Sequence, residues 1–209
     1  MIELFKLSKY YSNITEGYFD VTVQPLWNLY SESFSKYNKA PKINEINKTK
    51  DLVNWQKIEI NEDHIKYLKK GMSSTLNGIA QGYITDKVTE ILKKYGINNT
   101  LVQLGEYRAI GRHPSDRKWR LLLSNPENTG SIGEIEFENS AVATSAGKGT
   151  PFDKLGKYHH IFNPKNGLNN NDILQTTVTA KSATEADALA TSFLVMNTKK
   201  STLIAKELK

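Results

Sequence analysis

Residues 75–86 read Thr75-Leu76-Asn77-Gly78-Ile79-Ala80-Gln81-Gly82-Tyr83-Ile84-Thr85-Asp86. Within this stretch a polar loop turns into a helix, and Gly78 and Gly82 lie four residues apart at the transition. A glycine costs a helix interior about 1 kcal/mol relative to alanine, so this pair indicates that another group approaches the backbone closely. That group could be a neighbouring strand. It could equally be a phosphate or a flat ring held against free N–H groups at the positive end of the helix.

The helix that follows this loop repeats apolar side chains at spacings of three and four, a pattern typical of one buried face. Gly96 stands where a helix commonly ends. The pattern predicts a helix that closes at Gly96 and packs through Tyr83, Ile84, Val88, Ile91, Leu92 and Tyr95.

The composition excludes several classes of protein. The chain has 209 residues, of which 38% are hydrophobic and 24% charged, as is ordinary for a soluble globular protein. No apolar run reaches the roughly 20 residues of a membrane span, and the first residues lack the pattern of a signal peptide. Because the chain has no cysteine, it has no disulfide, thiolate metal site or cysteine nucleophile.

The net charge of +6 comes from 28 Lys and Arg against 22 Asp and Glu. The lysines are scattered in pairs such as Lys69-Lys70 and Lys93-Lys94, without a basic stripe that interleaves aromatic residues. A solvated surface accounts for this pattern better than a nucleic-acid partner.

The remaining chain predicts helices and short strands in irregular order. Residues 2–12 read as a helix, Val21-Thr22-Val23 as a strand that ends at Pro25, and residues 35–51 as a surface connection or weak helix. Further predicted elements are a hairpin over 55–60 and 64–68, strands at 100–104, 119–123, 134–137 and 175–180, a turn at 128–130, and a small-residue segment at 141–149 whose backbone could face a ligand. This irregular alternation favours an α+β layered fold over a doubly wound sheet.

Half of the four histidines form the pair His159-His160, on an apolar segment that reads as a strand entering a turn. Adjacent strand residues point to opposite faces, so the two rings cannot easily ligate one metal. We expect one to be structural and the other to act near neutral pH as an acid, a base or an anion ligand.

The last segment carries a well-specified helix start, because Ser182 with Glu185 forms a capping-box pattern. Asp187 and Thr191 are four residues apart in this helix and therefore share a face. A carboxylate and a hydroxyl at this spacing suit a hard cation such as Mg²⁺, which completes its shell from phosphates and water.

Six motifs in order resemble those of the ApbE family of FAD:protein FMN transferases. They are Gly17-Tyr18-Phe19-Asp20-Val21-Thr22-Val23-Gln24-Pro25-Leu26, Leu76-Asn77-Gly78-Ile79-Ala80-Gln81-Gly82-Tyr83, Gln103-Leu104-Gly105-Glu106, Ala143-Thr144-Ser145, His159-His160-Ile161-Phe162-Asn163-Pro164 and Ala186-Asp187-Ala188-Leu189-Ala190-Thr191. The resemblance implies an α+β flavin-binding fold of mixed or antiparallel sheets with packed helices. It also implies Mg²⁺-dependent transfer of FMN from FAD to a Ser or Thr hydroxyl of an acceptor protein, with release of AMP.

The resemblance assigns roles residue by residue. Asp187 and Thr191 would hold Mg²⁺ with a backbone carbonyl around Ala80, and His160 would deprotonate the acceptor hydroxyl or orient the flavin phosphate. The other residues it implies at the flavin nucleotide are Asn77, Gly78, Gln81, Gly82, Gly105, Glu106 and Ser145.

The chain departs from the commoner family pattern at several positions. Thr75 and Asn163 replace aspartates, Asn77 a glycine and Gln81 a lysine, and a Gly-Gly-Asp run is shortened to Gly105-Glu106. These versions resemble the sub-branch associated with nitrous oxide reductase maturation, which serves a membrane-associated flavoprotein. The resemblance also implies one domain over 1–209 that lacks the family's N-terminal region and last strand, and a site of action in the periplasm or at the outer face of the inner membrane. A flavin-binding maturation scaffold and a Mg²⁺-dependent FAD pyrophosphatase remain alternatives.

Overall fold

The computed structural model describes residues 1–127 and 129–208. Over these residues the helices are α1 (Ile2–Ile14), α2 (Gln24–Tyr37), α3 (Ile43–Lys50), α4 (Ala80–Lys94), α5 (Ala183–Leu194) and α6 (Thr198–Glu207). The strands are β1 (Ile58–Ile60), β2 (Ile65–Tyr67), β3 (Thr100–Gln103), β4 (Tyr107–Ile110), β5 (Trp119–Ser124), β6 (Ser131–Phe137), β7 (Ala141–Ala146) and β8 (Gln175–Ala180). None of the described helices is long and apolar enough to cross a membrane. The turn predicted at 128–130 includes Asn128, which lies outside the described residues.

A four-stranded antiparallel sheet in the order β3-β4-β7-β8 forms the centre of the fold, and β1-β2 and β5-β6 form two separate hairpins. Successive side chains of strand β7 point to opposite faces of the sheet, so this strand contacts two different layers. Ala141 and Ala143 pack against the alanines of α5, whereas Val142 packs with Phe137 and Trp119 of the β5-β6 hairpin. Helix α4 covers β3 and β4 on the α5 side of the sheet. The mixture of helices and small antiparallel sheets confirms the predicted α+β fold class.

The apolar face predicted for α4 is only partly correct: Tyr83, Val88 and Leu92 are half-buried, and the other three predicted residues, Ile84, Ile91 and Tyr95, are exposed. Ile91 is 51% exposed and Tyr95 82% exposed, whereas Gly82, Thr85 and Thr89 are buried. Small side chains lie on the inner face because α5 packs there at very short range, leaving no room for isoleucine or tyrosine. The spacing of three and four therefore predicted the helix and its end at Gly96 correctly, but it missed the fully buried residues of the inner face, Gly82, Thr85 and Thr89.

Two predicted strands are also wrong. Val21–Val23 forms a short 3-10 helix, because the Asp20 carboxylate accepts hydrogen bonds from the backbone N–H and hydroxyl of Thr22 and turns the chain. The segment around His159 and His160 is a loop with a single bridge to Pro151. There the amide of Asn169 donates to the carbonyls of His159 and Ile161, in place of a partner strand.

The other predictions for local structure hold. Helix α1 buries Leu4, Phe5 and Tyr11, and α3 lies within the segment 35–51, for which a weak helix was one of the two alternatives. The hairpin is confirmed as β1-β2, although Trp55–Lys57 before it is a 3-10 turn. The strands predicted at 100–104, 119–123, 134–137 and 175–180 are β3, β5, β6 and β8.

Candidate functional site

The candidate site is built where the first turn of α4 meets the middle of α5. A Cβ atom at Gly82 would lie 2.6 Å from the carbonyl carbon of Ala183, so only glycine permits this approach. The same closeness lets the Gly82 N–H donate to Asp187 Oδ2 at 3.0 Å. Close packing therefore explains the glycine at position 82. The element that approaches it is helix α5, whereas the packing alternative drawn from the sequence was a neighbouring strand.

Gly78 brings the preceding loop against the same helix, one turn further along. A Cβ atom there would lie 2.9 Å from Thr191 Oγ1. On its other side, the Thr191 hydroxyl meets Ser145 Oγ of strand β7 at 3.2 Å. Asp187 and Thr191 thus present their oxygens on one face of α5, as their spacing predicted, between the loop and the sheet.

Glu106 enters from the turn between β3 and β4. Gly105 before it has φ +106°, a left-handed conformation that a residue with a side chain rarely adopts. The Gln81 side chain packs directly over Gly105, so a Cβ atom at Gly105 would lie 2.7 Å from the Gln81 amide. The turn delivers the Glu106 carboxyl to a buried position.

The two adjacent histidines have different surroundings. His159 is buried against Gly147 and contacts Asn169 and Asn170. His160 faces the cavity described below, and its Nδ1 is buried with no hydrogen-bond partner among the described residues. Burial lowers the pKa of both imidazoles below 6.5, so the neutral form dominates at pH 7. This difference matches the expectation that one histidine is structural and the other is free.

These side chains converge on a cavity of about 330 Å³. Its polar wall includes Asp187, Thr191, Ser145 and His160, and Trp27 is among its apolar residues. The predicted site residues on the wall are Asn77, Gly78, Gln81, Glu106, Ser145, His160, Asp187 and Thr191. Three others, Ala80, Gly82 and Gly105, lie behind it, each next to a wall residue in the chain. Their assigned roles toward metal or nucleotide stay predictions.

The cavity is rich in carboxyl groups. Burial, and after it the nearby Glu106, raises the pKa of Asp187 to about 8, although the Gly82 N–H opposes the shift. Burial raises the pKa of Glu106 to about 7 and raises the pKa of Asp20 as well. No Lys or Arg stands among the described residues that line the cavity. The site therefore favours a bound cation or a proton at these carboxyls over an unaccompanied anion.

The available oxygens fit Mg²⁺. In the described part of the chain, no three His, Cys, Asp or Glu side chains cluster as a metal site. The donors are instead the carboxylate of Asp187 and the hydroxyl of Thr191, which Ser145 contacts. Hard oxygen donors in small number suit Mg²⁺, which retains waters and takes ligands from phosphates, and they do not suit zinc.

Sequence reasoning gave no role to several wall residues. Asp20 is one of them, and its carboxylate also accepts from the Trp55 backbone N–H at 3.0 Å. The signal was present, because an aspartate two residues before a threonine is typical of a local side-chain turn. Tyr18, in the loop after α1, and Trp27 of α2 add an aromatic wall, and helix spacing alone assigns Trp27 to a core.

Comparison with known proteins identifies the family. The ApbE family model matches residues 1–209. The chain belongs to the ApbE family.

The ApbE relatives agree in sequence and fold. The chain is 31% identical over 201 residues to a Vibrio cholerae FAD:protein FMN transferase, covering 93% of this chain and 60% of the relative. It is 31% identical over 193 residues to the Chlamydia pneumoniae FAD:protein FMN transferase, covering 89% and 60%. The crystal structure of the ApbE protein from Thermotoga maritima superposes with a TM-score of 0.89 at 28% identity, over 99% of this chain and 69% of that one. Flavin transferase ApbE from Vibrio cholerae gives 0.85 at 29% identity, over 98% and 67%. The chain thus spans about 60% of the length of the curated relatives described here.

Proposed function

We propose that this ApbE chain is an FAD:protein FMN transferase that moves FMN from FAD to a Ser or Thr hydroxyl of an acceptor protein and releases AMP. The convergence of Asp187, Thr191 and His160 in one cavity carries the proposal. The activity named for the relatives supports it.

The transfer exchanges one phosphorus–oxygen bond for another. The acceptor oxygen forms a bond to the FMN phosphorus, and the bond from that phosphorus to the bridging oxygen breaks. The electron pair of that bond leaves with AMP, and the acceptor hydroxyl loses its proton. The protein contributes mainly position and electrostatics to such a reaction.

His160 is proposed to take that proton. Its lowered pKa keeps the imidazole neutral, and the buried Nδ1 has no competing donor or acceptor in the described chain. A neutral imidazole whose nitrogen has no hydrogen-bond partner is suited to act as a general base. The alternative role of the same ring is to donate to and orient the flavin phosphate.

Asp187 and Thr191, with a carbonyl near Ala80, are proposed to hold Mg²⁺. When bound, the ion supplies positive charge to a pyrophosphate that otherwise meets Asp187, Glu106 and Asp20 without any lysine or arginine on the described wall. Ser145 keeps the Thr191 hydroxyl oriented through their 3.2 Å contact. The flavin nucleotide is proposed to lie along the polar wall that includes Asn77, Gly78 and Gln81.

The acceptor is proposed to be a membrane-associated flavoprotein of nitrous oxide reductase maturation. The transfer is proposed to take place in the periplasm or at the outer face of the inner membrane. The support is the resemblance of the Leu76–Tyr83 and Leu104–Glu106 sequences to that sub-branch.

Intact-mass spectrometry tests the proposal. An acceptor domain with a Ser/Thr target site is incubated with this protein, FAD and Mg²⁺, beside Asp187→Asn as a matched control of equal size. The expected result is an acceptor mass gain of FMN less one water, with equimolar AMP, that the control lacks. AMP without acceptor modification identifies an FAD pyrophosphatase instead. Retained flavin with neither product identifies a binding scaffold.

A further inference from the structure

We infer that Asp86, a residue outside the cavity, is a positioning residue that sets Asp187 against Gly82 and so shapes the proposed metal site. The inference rests on the proposed function for its catalytic consequence. Its structural core is a set of contacts between α4 and α5 that stands by itself.

Helix α4 with the loop before it runs antiparallel to α5, and the two segments meet at three points, spaced four residues apart in each segment. Gly78 meets Thr191, Gly82 meets Asp187, and Asp86 meets the first turn of α5 at Ala183 and Thr184. Four residues are close to one helical turn, so the points line up along one seam. The first two points are in the site, and the third lies outside it.

Each helix caps the other at this seam. Ile79 at the N-cap of α4 has no side-chain acceptor, and Asp187 of α5 accepts from the Gly82 N–H in its place. In return, Asp86 Oδ1 accepts from the Ala183 N–H at 2.9 Å, and Oδ2 accepts from the Thr184 N–H at 2.8 Å. Free N–H groups of a first helical turn need such acceptors, and a carboxylate is the strongest available.

The Asp86 contact is the strongest directional link of the three. Its Oδ2 also accepts from the Thr184 hydroxyl at 2.6 Å, and Arg108 Nε lies 3.5 Å from Oδ1. Both Asp86 and Arg108 are largely shielded from solvent, with side chains 15% and 14% exposed. Three hydrogen bonds that this shielded carboxylate accepts hold the start of α5 in a single rotation and register.

Asp187 is one turn after Thr184 on the same rigid helix, so movement at the anchor moves its carboxylate. At Gly82 the two helices meet through a bare backbone and one hydrogen bond, so Asp86 accepts three of the four hydrogen bonds made at Gly82 and Asp86. Site geometry tolerates errors of only about 0.5 Å. Loss of Asp86 is therefore expected to act on Asp187 without touching the cavity.

Amide hydrogen exchange at Gly82, followed by NMR, tests the inference without metal or substrate. The variants are Asp86→Asn, Asp86→Ala and, as the matched control, Ser182→Ala. Ser182 caps the same end of α5 by accepting from the Glu185 N–H at 3.2 Å, so its loss costs a cap and leaves the α4 contacts intact. Exchange at Gly82 is expected to accelerate about tenfold or more in the Asp86 variants, relative to amides of β7. In Ser182→Ala it is expected to stay near the wild-type ratio.

Mn²⁺ affinity, measured by electron paramagnetic resonance with Mn²⁺ alone, gives the second readout. A positioning role predicts about tenfold weaker binding in Asp86→Asn and little change in Ser182→Ala. Equal acceleration in both variants, or none in either, means that Asp86 is only a helix cap and overturns the inference. If the wild-type protein binds no Mn²⁺, the proposed metal site fails, and the exchange at Gly82 still decides the role of Asp86. Should Asp86→Ala not fold, Thr184→Val removes a single hydroxyl contact and is expected to accelerate Gly82 exchange in the same direction.

Discussion

The backbone N–H of Gly82 in α4 donates to the carboxylate of Asp187 in α5 at 3.0 Å. This bond joins two segments separated by more than a hundred residues, and it places a buried carboxyl at the positive end of a helix. Asp187 itself and the nearby hydroxyls of Thr191 and Ser145 provide oxygen atoms on the wall of the cavity.

The metal-free protein is expected to lose stability as the pH rises through the range between about 4 and about 8. The folded pKa of Asp187 is about 8, against an ordinary value of 3.8. A carboxyl with a raised folded pKa contributes its full stability below the unfolded pKa, and that contribution is lost as pH rises toward the folded value. Urea unfolding at several pH values measures the loss, expected to exceed about 1 kcal/mol. Asp187→Asn should flatten this dependence of stability on pH. In the wild-type protein, added Mg²⁺ should restore at pH 8 the stability that is lost without metal. A wild-type profile that is flat without metal would contradict this burial argument.

Gly82→Ala is expected to destabilise the fold by about 2–3 kcal/mol, because the added methyl meets the Ala183 backbone, which cannot move aside. Gly133→Ala in β6 is the matched control, since a Cβ atom there meets nothing within 4 Å. Its effect on the free energy of unfolding should stay within about 0.5 kcal/mol. Similar losses for the two variants would refute the close-packing account of Gly82.

Gly78→Ala separates function from stability. The methyl would lie 2.9 Å from Thr191 Oγ1, a side-chain atom that can rotate away. Stability is expected to fall by less than in Gly82→Ala, while Mn²⁺ affinity falls about tenfold because Thr191 turns from the site. Calorimetry and Mn²⁺ titration on the same sample give both values. Unchanged Mn²⁺ affinity would remove Thr191 from the proposed ligand set.

His160→Gln is expected to lower kcat for FMN transfer by about 100-fold or more, with a much smaller effect on FAD affinity. Burial lowers the pKa of His160 below 6.5, so wild-type activity should persist as pH falls to that value. Steady-state rates across pH and equilibrium FAD titration measure both effects. A large loss of FAD affinity with kcat preserved would assign the ring to phosphate binding.

Ile91→Lys on the outer face of α4 is expected to change the free energy of unfolding by no more than about 0.5 kcal/mol, since half of the side chain is already exposed. Leu194→Ala in α5, at a fully buried position, should cost about 2–5 kcal/mol. Chemical denaturation of both variants measures the two changes in the free energy of unfolding. A large loss of stability in Ile91→Lys would mean that the outer face of α4 is buried.

The sequence predicted the element types well wherever the signal was local. The Ser182 cap, the close of α4 at Gly96 and the strand at 175–180 depend on neighbouring residues, and all three are confirmed in the structure. The spacing of Asp187 and Thr191 likewise placed them on one face. The strand at Val21–Val23 failed because the Asp20 side chain competes locally with strand hydrogen bonding.

What the sequence by itself determined is the family, the α+β class and a set of site residues most of which line the cavity, because motifs and periodicities are local and survive in any tertiary context. Only the tertiary structure decided which face of α4 is buried, that Gly82 serves α5 and Asp187, and that Asp86 caps the opposite helix. Those outcomes depend on backbone distances between segments far apart in the chain. A hydrophobic spacing contains no information about how closely a distant helix approaches, and here that approach selected glycine and threonine over isoleucine for the inner face.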